Sequence, residues 1–453
     1  MGVQTSAPFT NTYSLQFDGI DDYVSLDSPN YPNAISFSAW FKTTDTSTQA
    51  IWTALDNTTQ KHFLRISSTQ FRLRLTDSAG ALLTVDNTLT TQDGNWHHVA
   101  FTTDGTTATD GVVVYLDGVA LSNKGTLANS GLITTNKNNI GTYAATTWNF
   151  NGNIDEISLY NSELSESDIT DIYHSGTPTD LTDLSPVAWF RNGDNGAWKS
   201  PQWLIPNNSN KDKVSNYSFE FDGVDDYISV TANPLTDFTV SFWIKPNSAG
   251  ASYEGILGQG TTSAQGGILR YVAWNSSSVS GTISLFLGSW TNISGTVTNG
   301  VWTNIVLTYD SSSDELKSYN NGSLYTTISS PNFSAQTTNA HSFERIGLRN
   351  GVNSSAFGGQ IDEVALWDSA LTDISSIYSG GEPTTITGAV AYWRLGDEAT
   401  FSGGVWTVPD SVGSNDGTSN AMTIEDRVGD APNSANNGLS QNMDEVDRVE
   451  DTP

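Results

Sequence analysis

The chain lacks cysteine altogether, which excludes disulfides, thiolate nucleophiles and cysteine-held zinc or iron–sulfur sites. Positive charge is scarce as well. In 453 residues, 19 Lys and Arg stand against 49 Asp and Glu, a formal charge of −30. Such a surface repels phosphate, so neither nucleic acid nor a membrane is expected as a partner. No apolar run approaches the ~20 residues that a membrane span needs. The start, Met1-Gly2-Val3-Gln4-Thr5-Ser6-Ala7-Pro8, has no basic patch and no apolar segment, and is read as carrying no secretory leader. Aromatic surface, by contrast, is plentiful: 14 Trp, 16 Tyr and 18 Phe suffice to build cores and argue against wholesale disorder.

The sequence repeats itself. Tyr13-Ser14-Leu15-Gln16-Phe17-Asp18-Gly19-Ile20-Asp21-Asp22-Tyr23 returns as Tyr217-Ser218-Phe219-Glu220-Phe221-Asp222-Gly223-Val224-Asp225-Asp226-Tyr227. Ser38-Ala39-Trp40-Phe41-Lys42 returns as Ser241-Phe242-Trp243-Ile244-Lys245, and Gly94-Asn95-Trp96 as Gly300-Val301-Trp302. Gly152-Asn153-Ile154-Asp155-Glu156 returns as Gly359-Gln360-Ile361-Asp362-Glu363. The order is kept, and a period of about 200 residues is long enough for each copy to own a core.

Within a copy the elements are short strands. Tyr13, Leu15 and Phe17 alternate with polar residues, as do Phe71, Leu73 and Leu75, so one face is buried and the other wet. Asp117-Gly118 and Asn321-Gly322 mark tight hairpins at matching places. One helix is predicted, opened by Ser165-Glu166-Ser167-Asp168 and carrying Ile169, Ile172 and Tyr173. A second is predicted around Thr372, Ile374, Ile377 and Tyr378. The fold class that follows is all-β: two antiparallel β-sandwiches in tandem plus an extended C-terminal segment. The division is an arm over 1–12, a first domain over 13–194, a linker over 195–216, a second domain over 217–397 and an acidic segment over 398–453. From Glu425 to Pro453 there are 8 acids and 2 bases, and that stretch alone buries too little to fold.

These motifs, Phe-Asp-Gly-x-Asp-Asp-Tyr, Ser-x-Trp-x-Lys, Gly-x-Trp and Ile-Asp-Glu, resemble the laminin-G-like domains of the concanavalin A-like jelly-roll superfamily over roughly residues 10–190 and 214–395. The run Asp426-Arg427-Val428-Gly429-Asp430 to Pro453 resembles endings on laminin-G-like proteins of marine bacteriophages. The resemblance implies binding of glycans or proteins, often with calcium, and in a minority of the superfamily hydrolysis of glycans. It also implies that the Asp of Ile-Asp-Glu lies near the Phe-Asp-Gly loop. Asp18 and Asp22 would then share a calcium ion with Asp155, and Asp222 and Asp226 with Asp362. The bland reading of Asp18-Gly19 and Asp222-Gly223 is turn chemistry, with the carboxylates bonded to local amides.

Three tryptophans outside the repeated motifs, Trp148, Trp274 and Trp290, are the candidates for stacking on sugar rings, against loop packing or a subunit interface, whereas Trp40, Trp243, Trp96 and Trp302, which recur in both copies, read as core. Arg65, Arg72 and Arg74 form a small basic patch suited to an acidic sugar or to the acidic tail of a neighbouring copy, against the plainer reading of a solvated sheet face. A hydrolase needs two carboxylates across a cleft. The one Glu-x-Asp-x-x-Glu spacing, Glu445 to Glu450, lies at the end of the chain, after both repeats, so no catalytic residue is assigned. The expected role is non-enzymatic: an accessory protein of a phage particle, capsid decoration or tail fibre. It would be located in the virion, held to other virion proteins by the C-terminal segment, homo-oligomeric, and in contact with host-surface glycan. A stand-alone calcium-dependent lectin, or a glycoside hydrolase, is the alternative.

Overall fold

The structure is a computed structural model that describes residues 9–27, 35–56, 58–144, 147–231, 233–247, 253–259, 271–277, 279–287, 289–331, 341–349 and 356–453. The chain divides into two units. Unit 1 is built from residues 1–212 together with 436–453, and unit 2 from 213–435. Both are β-sandwiches. Among the described residues unit 1 has an eight-stranded and a nine-stranded sheet, and unit 2 an eight-stranded and a ten-stranded one, with every pairing between named strands antiparallel. Among the described residues no helix is long and apolar enough to cross a membrane.

The two-residue periodicity does what it predicts. Leu15, Phe17, Ile154, Phe37 and Phe41 fill one layer of the core of unit 1, and Trp52, Leu64, Leu73 and Val24 meet them from the other sheet. Asp117-Gly118 and Asn321-Gly322 both adopt positive φ at two successive residues, the turn that matches strand twist in a two-residue hairpin. The helix Glu166–Tyr173 carries the full capping box between Ser165 and Asp168. Its counterpart in unit 2 does not form. Thr372 follows Leu371 as Ser165 follows Leu164, each leucine amide donating to a strand hydroxyl. But Ile374 comes two residues after Thr372 where Ile169 comes four after Ser165, so Ser375 stands where Asp168 closes the capping box, and Asp373 accepts from Ser375 N at 2.9 Å instead. Ile374 and Ile377 stay buried in a turn.

Gly152 shows why Gly begins the repeated Gly-x-Ile-Asp-Glu motif. Its φ is +142°, and a Cβ there would lie 2.1 Å from the Lys42 carbonyl oxygen.

The segment 398–453 differs from its expected part as a free docking tail, and 195–216 from its expected part as a linker. Residues Ala197–Lys199 and Gln202–Ile205 are strands of unit 1. Residues 400–428 supply unit 2 with four strands, of which Gly417–Asn420 pairs with Tyr227–Ser229 and Arg427–Val428 with Ser218–Asp222. Residues 436–453 close unit 1 in the same way. Strand Gly438–Gln441 lies between Tyr23–Asp27 and Gln202–Ile205, and Arg448–Val449 pairs with Ser14–Asp18. The acidic run is therefore ordered by the chain's own sheets.

These two closing segments are copies of each other at an offset of 21. Gly417, Ser419, Met422, Asp426, Arg427, Val428 and Asp430 match Gly438, Ser440, Met443, Asp447, Arg448, Val449 and Asp451. Trp96 and Trp302 are half-exposed rather than core: with the repeated Lys of each unit, their ring N–H groups grip the last Asp. Lys42 Nζ lies 2.7 Å from Asp451, and Trp96 Nε1 donates to Asp451 at 3.0 Å. Lys245 pairs with Asp430, to which Trp302 Nε1 donates at 3.1 Å.

Candidate functional site

The two Asp-Gly loops come first. In unit 1, Asp18 Oδ1 accepts from Ile20 N at 2.7 Å, and Asp22 Oδ2 accepts from Asp18 N at 2.9 Å. Unit 2 repeats this with Asp222, Val224 and Asp226. Both loops thus fold by turn chemistry. Each still gathers three carboxylates, Asp18, Asp21 and Asp22 or Asp222, Asp225 and Asp226, whose oxygens lie within 4.8 Å of one another. Burial raises the Asp22 and Asp226 carboxyls to about 7, and the neighbouring acids, Asp447 and Asp426 of the closing segments among them, push the same way.

Asp155 and Asp362 are not brought to these loops. Asp18 pairs with Asn151, four residues before Asp155 on the same strand, about 13 Å away at 3.3 Å per residue. Asp155 sits instead at a bulge that shifts register before Ser158, with Glu156 at φ +46°. Its Oδ2 accepts from Asn11 Nδ2 at 2.9 Å, while Glu156 accepts from Arg191 Nε at 2.9 Å and from Trp189 Nε1 at 2.6 Å. In unit 2, Asp362 accepts from Ser215 Oγ at 2.6 Å, and Glu363 from the Tyr392 hydroxyl and Arg394 Nε. Burial raises all four carboxyls, and the neighbouring arginines pull the two glutamates part of the way back. The Ile-Asp-Glu motif ties the incoming chain to the strand.

The three tryptophans separate. Trp274 is 0% exposed in the core of unit 2. It pairs with Glu254 as Ile66 pairs with Gln49 in unit 1, so it holds an inward core position and is withdrawn from the sugar-stacking set. Trp148 and Trp290 are half-exposed, and each belongs to an aromatic platform. The Trp148 ring lies 4.3 Å from Tyr143 and 5.5 Å from Phe63, with the Arg65 guanidinium 5.1 Å above it. The Trp290 ring stacks on Tyr253 at 4.3 Å and 11°, with Phe286 at 5.4 Å and Arg349 at 5.5 Å. Tyr143 and Tyr253 escaped the sequence reading, since a lone Tyr in a loop carries no period. For Tyr143 the signal is the Trp five residues along; Tyr253 has none in the sequence, since Trp290 lies on a strand that pairs with Ser280–Phe286 and not with Glu254–Gly258.

The Glu445, Asp447 and Glu450 spacing is broken by structure. Glu445–Asp447 is a 3₁₀ turn in which Asp447 caps Asp444, and Glu450 faces the Tyr13 hydroxyl at 3.5 Å.

A family model described as the concanavalin A-like lectin/glucanases superfamily matches residues 18–170 and again 221–374. No curated protein matches the chain. Among solved structures, domains LG4-5 of the mouse laminin alpha1 chain match at 11% identity over 85% of this chain and 95% of theirs, with a TM-score of 0.28. A heptameric SAP-like pentraxin of Limulus polyphemus matches at 14% over 37% of this chain and 84% of its own, with a TM-score of 0.30. Domain 4 of an extracellular arabinanase of Geobacillus stearothermophilus, in complex with arabinotriose, matches at 20% over 36% and 82%, with a TM-score of 0.27.

Proposed function

The chain belongs to the concanavalin A-like lectin/glucanases superfamily, and from that premise we propose that it is a non-catalytic recognition protein whose two units bind glycan. The observation that carries this reading is the pair of half-exposed aromatic–guanidinium platforms, Tyr143 with Trp148 and Arg65, and Tyr253 with Trp290 and Arg349. A flat ring backed by a cation presents an apolar face and a polar rim together, as sugar recognition requires. The acid pairs of the Ile-Asp-Glu motifs are buried and bonded within the fold, which supports binding over glycosidic chemistry.

Calcium belongs to the proposal at the Asp18–Asp22 and Asp222–Asp226 loops; Asp362 meets Glu363 and Asp397 in a third carboxylate group, where Arg394 already supplies the positive charge. The crowded carboxylates of the two loops supply oxygens of the kind it takes, although the inner ones already accept backbone amides. As the finer setting we propose the outside of a phage particle. Its support is the resemblance of the 426–453 run to phage-protein endings. With that run folded into the two units, attachment to the particle falls to other surface, and co-sedimentation with purified particles tests it.

The glycan reading is checked by screening the full chain against a glycan array, with and without EDTA. The expected outcome is a defined set of bound glycans, lost in the Trp148→Ala/Trp290→Ala double variant while both units stay folded. An array with no bound glycan, or release of reducing ends from any glycan on it, would overturn the reading. Binding that EDTA leaves intact removes calcium from it.

A further inference from the structure

The outer face of unit 1 holds more donors than the chain supplies with acceptors. Strand register sets Thr53 opposite Phe63 and Phe63 opposite Arg74, with Ala50, Arg65, Arg72 and Asp86 forming the next row. Arg72 is spent, because it forms a bidentate pair with Asp86 at 2.6 and 2.7 Å. Arg65 and Arg74 have no carboxylate of their own among the described residues. Arg65 is only 9% exposed, and its one side-chain hydrogen bond goes to Gln70 at 3.3 Å. The Arg74 guanidinium lies 5.7 Å over the Phe63 ring. Among the described residues, Nε of both arginines and Oγ1 of the fully buried Thr53 have no hydrogen-bond partner. Unpaired buried donors of this kind are costly, and the cost falls when an acceptor arrives.

The aromatic platform borders this face. Trp148 is held at φ +56°, its carbonyl accepting from Ala50 N at 2.8 Å, which fixes the ring beside Arg65.

We propose that this face binds a carboxylated sugar, its ring on Trp148 and Tyr143 and its carboxylate on Arg65 and Arg74. The inference rests on the glycan-binding reading above and names the ligand class. Guanidinium groups match a carboxylate with two parallel donors, and in a chain whose formal charge is −30 two arginines with no carboxylate of their own among the described residues are an attractive feature for such an anion. An acidic peptide offers the carboxylate but leaves the aromatic pair without a flat ring to stack. Unit 2 supplies the contrast. Ala273 and Ser284 occupy the paired positions that Arg65 and Arg72 occupy in unit 1, so one site per chain is expected.

The test is calorimetric titration of the full chain with an oligogalacturonate and with the neutral galactose oligomer of equal length, alongside a glutamate-rich peptide. The expected result is one uronate site per chain, with the neutral oligomer at least about tenfold weaker. Arg74→Gln, at the half-exposed end of the site, should weaken the uronate by a similar factor and leave unit 1's melting temperature in place. Trp148→Ala should weaken it independently. Equal affinity for the two oligomers, or an Arg74→Gln variant that binds as before, overturns the acidic-sugar assignment and leaves the glycan reading standing. Binding of the peptide and of neither oligomer, or no binding of any of the three, overturns the acidic-sugar assignment, and the glycan reading is then decided by the array.

Discussion

Cutting the chain after Ala435 is expected to unfold unit 1 and leave unit 2 standing. The removed segment, 436–453, contributes no residue to unit 2. In unit 1 it provides strand Gly438–Gln441, which alone joins the Gln202–Ile205 strand and its hairpin partner to Tyr23–Asp27. Its loss exposes Trp203, whose backbone N bonds Ser440 Oγ at 2.7 Å and whose Nε1 bonds the Asp444 carbonyl at 2.9 Å. It also strips Leu26 and Val24 of cover that Gly438 allows by close approach, and removes Met443 from the core. At about 1.5–3 kcal/mol for each large apolar side chain returned to water, three or four of them equal the ~5–15 kcal/mol on which a domain subsists. Lys42 and Trp96 lose their shared partner Asp451 in addition.

Hydrogen exchange reads the two units separately. Amides of Ile35–Lys42 should lose protection by orders of magnitude, while those of Phe238–Pro246 keep theirs. A synthetic 436–453 peptide added in trans should restore unit 1 in a concentration-dependent way. Protection in Ile35–Lys42 that survives the cut would mean that the segment rides on a sandwich complete without it.

What the sequence discloses and what it hides divides along physical lines. The repeat near offset 204 is legible because its residues have the same work in both units. Trp40 and Trp243 are buried under Tyr173 and Tyr378, and Lys42 and Lys245 each hold one closing aspartate. The closing repeat at offset 21 is equally plain once aligned, but its acids draw the reading toward a solvated tail, since charge alone does not tell that Arg427 is buried against the Trp406 ring at 4.4 Å. Asp155 was misplaced because a strand position carries no mark of the bulge that follows it, and the bulge turns Asp155 and Glu156 toward Asn11 and Arg191. Trp274 was misread because it falls outside the repeat in residue type while keeping its place in register, where unit 1 has Ile66. The aromatic platforms were half visible: Trp148 and Trp290 stand out by type, whereas Phe63, Tyr143 and Tyr253 join them only through pairing and loop packing.

Both units are expected to grow more stable as the pH falls from 8 toward 5, unit 2 by the larger margin. Burial raises Asp226 and Glu254 to about 7, Glu363 to about 8 and Asp397 to about 6, and lifts Asp362 in the same direction, all in unit 2. Unit 1 has Asp22 and Glu156 raised to about 7, with Asp155 raised beside them. A carboxyl that holds its proton more tightly when folded gives stability that is complete below the unfolded value near 4, and that drains away as the pH climbs through the folded value. His97, raised first by its bond to Asp117, acts with the same sign. The opposing groups are His62 and His98 in unit 1 and His341 in unit 2, all lowered to about 4 by burial. They cost stability only once the unfolded imidazole starts to protonate near 6.5, so between pH 8 and 6.5 the raised groups act unopposed. Calorimetric melting at pH 8, 6.5 and 5 measures this. Glu254 isolates one contribution. Its carboxylate accepts from Gly358 N at 2.9 Å, the work that neutral Gln49 does for Asn151 N at 2.8 Å in unit 1. Glu254→Gln therefore keeps the acceptor and deletes the titration. It should raise unit 2's stability at pH 8, by on the order of 1–3 kcal/mol, and flatten its pH slope. Melting temperatures that fall from pH 8 to 6.5, or a Glu254→Gln slope identical to that of the parent chain, would show that these carboxyls are solvated and ionised in the folded protein.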